Sequence, residues 1–149
     1  MSRRKKIGEI LHEKPPSDLD AERAVIGSIL LDPSVRERIS LTPKDFHSPA
    51  HSTVFACMCG METVDAILLI DRLRSSGELK DVGGAAYLYE ITTAVPVAHH
   101  AEHYARIVKE LSRKREFIRL NCEALKAMYS GRWSVEKLRD RLIERLKEI

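Results

Sequence analysis

The last third of the chain constrains its fold most. From Ala98 to Ile149, apolar or small residues recur at Ala101, Tyr104, Val108, Leu111, Ile118, Cys122, Leu125 and Tyr129. Steps of three and four keep such positions on one side of a helix. The stripe breaks at Ser130-Gly131-Arg132-Trp133, where the glycine ends a helix and Ser134 caps the next. A second stripe follows at Val135, Leu138, Leu142 and Ile149, with Leu146 beside it. Neither helix hides its stripe alone, so the two are expected to fold back on each other as an antiparallel hairpin. Arg115 interrupts the first stripe inside the run Arg113-Lys114-Arg115-Glu116. A charge at that position is expected to pair with an acid on a partner chain.

Upstream, helix grammar repeats and no segment reads as a strand, so the fold class is all-α: a small helical globular head followed by the hairpin. Residues 1–14 read as a flexible basic arm carrying Arg3-Arg4-Lys5-Lys6, residues 15–97 as the head and residues 98–149 as the hairpin. Ser17 and Asp20 make a capping-box-like start, and Leu19, Val25, Ile26, Ile29 and Leu30 are expected to form the buried face of the helix that follows. Asp32-Pro33 stops that helix. Val35 and Ile39 then mark a short second one. Thr42-Pro43 and Ser48-Pro49 each put proline behind a cap residue. Phe46 is expected to plug the core, with Val54, Phe55 and Met58 facing inward. The next helix, Asp65 to Ser75, is expected to bury Ile67, Leu68 and Leu73 and to end at Gly77. Gly83-Gly84 reads as a tight turn into a helix with Ala85, Leu88 and Ile91 inward, which Pro96 ends.

A search for chemistry returns little. The chain has no G-x-S-x-G, H-E-x-x-H, Walker or dinucleotide motif. Cys57 and Cys59 with His47 or His51 match no closed zinc spacing, and the cysteines read as small buried helix residues. His47 and His51 read as surface or capping residues, and Glu22 beside Arg23 as surface charge. His99 and His103, four apart around Glu102, fit neither zincin pattern. No catalytic, cofactor or metal site is therefore expected. The expected site is a protein interface of Tyr104, Val108, Leu111, Arg115, Ile118, Leu125, Leu138 and Leu142. A net charge of +3 over 149 residues does not by itself signal nucleic-acid binding. No apolar run approaches a membrane span and no signal peptide is evident, so a reducing, cytoplasmic setting is expected.

Several segments in order resemble the N-terminal domain of DnaB-type replicative hexameric helicases. They are Pro15-Pro16-Ser17-Asp18-Leu19-Asp20-Ala21-Glu22-Arg23-Ala24-Val25-Ile26-Gly27, Lys44-Asp45-Phe46-His47-Ser48-Pro49-Ala50-His51, then Asp65 followed by Gly77-Glu78-Leu79-Lys80-Asp81-Val82-Gly83-Gly84-Ala85-Ala86-Tyr87-Leu88, and Tyr104-Ala105-Arg106-Ile107-Val108-Lys109-Glu110. The resemblance implies a helical head and hairpin that pair with a second copy and build a collar of three dimers. It also implies contacts for primase and, in some systems, for a loader protein, with DNA touched only weakly or indirectly. ATP and Mg, with the P-loop and arginine finger, would belong to a separate RecA-like domain that this sequence does not contain. Two departures stand out. The connection Gly60-Met61-Glu62-Thr63-Val64-Asp65 is shorter than is usual in that family, and the sequence stops at Ile149 inside a helical pattern, which suggests a piece of a longer chain, with a free-standing small protein as the alternative. Two alternatives share the same composition: a helical nucleic-acid-binding module, with the basic arm and Trp133 as its stacker, and the related helicase-binding domain of a primase.

Overall fold

In the computed structural model, which describes residues 9, 12–94 and 98–149, the head is wrapped around one helix, α1 (Leu19–Leu31). Val25, Ile26 and Ile29 are fully buried, and Ala21, Gly27 and Ser28 are buried too. A helix apolar on most of its circumference belongs inside. Asp18, not Ser17, is its N-cap: the carboxylate accepts the Ala21 N–H at 2.9 Å. Leu19, the first residue of the helix, is about half exposed, whereas Leu30 packs at the core's edge.

A short helix α2 (Val35–Arg38) follows, then a 3₁₀ turn Pro43–Asp45 closed by the Thr42–Asp45 capping box. Helix α3 (Pro49–Cys59) sends Val54, Phe55 and Met58 into the core, where the Phe46 and Phe55 rings pack tilted with centroids 4.7 Å apart. The Arg36 guanidinium donates to the Met58 and Met61 carbonyls at 2.7 and 2.8 Å, satisfying acceptors at the C-terminal end of α3.

Helix α4 (Ala66–Ser75) departs from the expected register. Leu69, Ile70 and Leu73 are buried, whereas Ile67 is 71% and Leu68 48% exposed. The run Ala66-Ile67-Leu68-Leu69-Ile70 is apolar on every side and does not mark its inward pair by itself; Leu73, one turn on, shares a face with Leu69 and Ile70. Asp65 caps this helix by accepting from the Ile67 and Leu68 N–H groups at 2.8 and 2.9 Å. Asp65→Ala is expected to cost about 1 kcal/mol. A lower urea midpoint with an unchanged slope would register that loss.

Helix α5 (Gly84–Ala94) buries Leu88 and Ile91. Gly83 needs to be glycine: its φ is +101°, and a Cβ there would come within 2.9 Å of the Tyr87 ring. After the 3₁₀ turn Ala98–His100 runs α6 (Ala101–Tyr129), 29 residues or about 44 Å long. Gly131 (φ +64°) reverses the chain, and Ser134 caps α7 (Val135–Leu146) by accepting the Lys137 N–H. No strand occurs among the described residues, and the fold is all-helical.

Helix α6 has two jobs. Its first turns pack on α1, with Ala101, Ala105 and Val108 in the head core, and its distal half packs on α7, where Leu120, Ala124 and Leu138 are buried. Each buried Leu, Val or Ile contributes about 1.5–3 kcal/mol relative to exposure. Both halves are thus held by burial, and α6 ties head and hairpin into one unit. The basic run at residues 3–6, the Pro96 stop and the side chain of His99 lie outside the described residues.

Candidate functional site

The core face of the head holds the first surprise. Glu22, expected on the surface, is 1% exposed, and His51 is 2% exposed. The Glu22 carboxylate accepts the His47 N–H at 2.6 Å and the Ser48 N–H at 3.2 Å, and it lies 2.7 Å from His51 Nδ1. His51 Nε2 is 2.7 Å from the Tyr87 hydroxyl. Burial alone would raise the Glu22 carboxyl, but the hydrogen bonds from His51, His47 and Ser48 outweigh it and hold the group below the usual carboxylate range. The cluster joins α1, the approach to α3, and α5. Every polar atom in it has a partner, so it is a structural staple.

A second polar joint fixes the hairpin to the head. Arg115 donates to the Pro16 carbonyl at 2.9 Å and to the Asp45 carbonyl at 2.5 Å. The Asp45 carboxylate takes Lys109 Nζ at 3.1 Å. Burial would raise the Asp45 carboxyl, yet the Thr42 N–H, the Ser112 hydroxyl and Lys109 keep it low. The expected acid on a partner chain is therefore replaced by carbonyls of this chain, because α6 runs close past the 3₁₀ turn and the chain's approach to α1. Arg115→Ala is expected to lower stability by about 1–2 kcal/mol through two lost hydrogen bonds. Faster amide exchange at Ser17 and Asp18, without a change in self-association, would confirm this assignment.

The remaining interface candidates divide clearly. Val108 (2% exposed) and Leu138 (6%) are buried within the chain and cannot meet a partner. Tyr104 packs on the head core, Leu111 and Leu125 are half-buried, and Leu142 lines a cavity inside the hairpin. Ile118 stands exposed, joined by Tyr129 and Val135 from the two stripes and by Phe117, Met128 and Ile143, which lie off them. Helix α6 uses its stripe twice within the chain, first on α1 and then on α7. The residues left outside are Ile118 and the stripe ends Tyr129 and Val135, with Phe117, Met128 and Ile143 beside them.

Phe117 and Ile118 form a shallow groove with Pro16 and Ile149, rimmed by Glu110, Arg113 and Lys114. Of the cysteines expected inside, Cys57 is half-buried and Cys59 exposed, because Met58 between them takes the inward position in the last turn of α3. Trp133, read as an exposed stacker, is half-buried against α7. Among the described residues no group of three or more His, Cys, Asp or Glu side chains is placed to hold a metal, and no helix is long and apolar enough to cross a membrane.

A helical head stapled by buried polar groups, with a hairpin that presents unpartnered apolar residues, defines a protein-interaction module. Comparison with known proteins makes this specific. Residues 14–110 match the DnaB-like helicase N terminal domain, and the chain belongs to that family. It is 34% identical over 150 residues to the replicative DNA helicase DnaB of Geobacillus stearothermophilus, covering 96% of this chain and 33% of that protein. Against the replicative DNA helicase DnaC of Bacillus subtilis the identity is 34% over 137 residues, covering 87% and 30%. The chain thus spans about a third of the length of these curated relatives. The crystal structure of the N-terminal domain of DnaB helicase from Mycobacterium tuberculosis superposes with a TM-score of 0.82 at 32% identity, covering 91% of this chain and 100% of that one. A DnaB-like replicative helicase, described with its interactions with primase, gives 0.74 at 25% identity, covering 89% and 31%.

Proposed function

We propose that this chain is the N-terminal assembly and docking portion of a replicative DNA helicase, acting in the cytoplasm during DNA replication. Copies pair through the outer face of their hairpins, and three such pairs build a collar. The collar holds primase and, in some settings, a loader protein, while DNA is touched only weakly or indirectly. ATP and Mg chemistry belongs to the part of the relatives that this chain does not span.

The observation that carries this reading is the row of apolar side chains left outside after the hairpin has covered its inner seam. Phe117 and Ile118 are the centre of it. Their groove is rimmed by an acid, Glu110, and by two bases, Arg113 and Lys114. A two-fold contact brings the same patch against itself, so an edge carrying both signs is complementary to its own copy. The described interaction of a structural neighbour with primase supports the docking half of the proposal.

Light scattering across a concentration series tests the pairing. A mass approaching two protomers as concentration rises is the expected result, and one protomer at every concentration overturns it. Adding primase to the same chain tests the docking half separately, by co-migration on a sizing column.

A further inference from the structure

At the distal end of the hairpin lies a cavity separate from the Phe117–Ile118 groove. Its volume is about 220 Å³, and Leu120, Ala124, Ala127, Leu138 and Leu142 line it with Trp133 as one wall. That is below the roughly 300–1,000 Å³ of sites for small molecules and cofactors, and it suits one bulky side chain. The mouth is charged. Lys137 Nζ and the Arg141 guanidinium carbon sit 5.0 and 5.1 Å from the Trp133 ring centroid. The ring holds these cations in place without neutralising them. Among the described residues, neither is within ion-pair distance of a carboxylate. A third cation, Arg145, also lines the cavity, and its acids Glu116 and Glu148 are both 3.7 Å away. The one acid in the lining, Glu123, is already bonded to Arg119.

We propose that this cavity docks a helical segment of a partner protein that inserts one large apolar side chain between α6 and α7, with acidic residues a turn away meeting Lys137 and Arg141. The inference rests on the docking reading above and names the chemistry of the partner. Charge complementarity selects the occupant: two pre-positioned, unpaired cations beside an apolar hole reject a basic segment and favour an acidic one.

Trp133 is the chain's only tryptophan, so its emission reports on the cavity directly. The probe is a stapled helical peptide with one central leucine between glutamates a turn away on each side, compared with a twin carrying lysines instead. The glutamate peptide is expected to blue-shift Trp133 emission, to weaken as salt rises, and to bind at least about tenfold more tightly than its twin. The K137E/R141E variant, changed only at exposed positions, should reverse that preference. Ala127→Leu, which narrows the cavity with a residue that helices accommodate well, should abolish the shift.

No shift with the glutamate peptide up to about 1 mM, equal affinity for the two peptides, or indifference to Ala127→Leu overturns the proposal. So does a Trp133 shift produced by raising the protein concentration alone, which would assign the cavity to a second copy. Sedimentation of the same samples reads self-pairing independently, so a failed docking site and a failed assembly role give different results.

Discussion

Glu22→Ala is expected to lower the stability of the folded chain by about 3–5 kcal/mol, the range for deleting one partner of a buried ionic or strongly hydrogen-bonded pair. The loss arises because three donors converge on this carboxylate: the His47 and Ser48 N–H groups and the His51 ring. With the acceptor gone, the buried His51 ring and the two part-buried N–H groups lose the partner they share. Against a total of about 5–15 kcal/mol for an ordinary domain, this is about a fifth or more, and a melting midpoint lower by roughly 10 °C or more should accompany it. Tyr87→Phe removes only the outer link of the same chain, from a half-buried ring, and should cost about 1 kcal/mol. Similar effects of the two substitutions would contradict the idea that Glu22 is the hub.

Acid should expose the same hub. The folded Glu22 carboxyl titrates below its unfolded counterpart, as does Asp45. Their stabilisation is therefore complete above the unfolded values of about 4 and is lost as pH falls through the lower folded values. Urea midpoints should decline on acidification below about pH 5. The Glu22→Ala variant should decline less steeply, because the Glu22 part of that slope is gone.

The sequence contained much of this in a form that was easy to pass over. Glu22 lies four residues before Ile26 and seven before Ile29, on the stripe that enters the core. His51 lies three before Val54 and four before Phe55, on the inward stripe of α3. Two polar residues on two buried stripes have to find partners, and each is the other's. Their type suggested surface and capping roles, and their positions argued against it. The register of α4 was open to the same reasoning. Leu73 is the lone apolar residue among Arg72, Arg74 and Ser75, and steps of three and four back from it give Ile70 and Leu69, not Ile67 and Leu68. Arg115 was a different kind of problem. Its acceptors are backbone carbonyls 70 and 99 residues earlier in the chain, and a carbonyl carries no mark in a sequence. The helices themselves, with their serine, aspartate and proline starts and the Gly131 reversal, were legible because capping and chain reversal are local. Which face of α6 stays outside was not, since that depends on what α1 and α7 have already covered.

The double variant Phe117→Glu/Ile118→Glu should leave this chain folded and leave it single. Both side chains are about half exposed on α6, at 52% and 49%, and glutamate is a good helix former, so the stability change is expected to stay near 0.5 kcal/mol. Self-association should respond far more strongly. Central residues of a protein contact contribute about 2 kcal/mol or more each, and 1.4 kcal/mol is a factor of ten, so the dissociation constant should rise by about a hundredfold or more. A two-fold axis makes the effect stronger still, because each new carboxylate faces the copy of itself. Ile67→Glu/Leu68→Glu supplies the matched comparison: those residues are as apolar and as exposed, at 71% and 48%, but lie on the head. If pairing runs through the hairpin, the head variant keeps the wild-type mass across a sedimentation series while the hairpin variant sediments as one protomer. The reverse outcome would move the interface to α4 and leave the Phe117–Ile118 groove to some other partner.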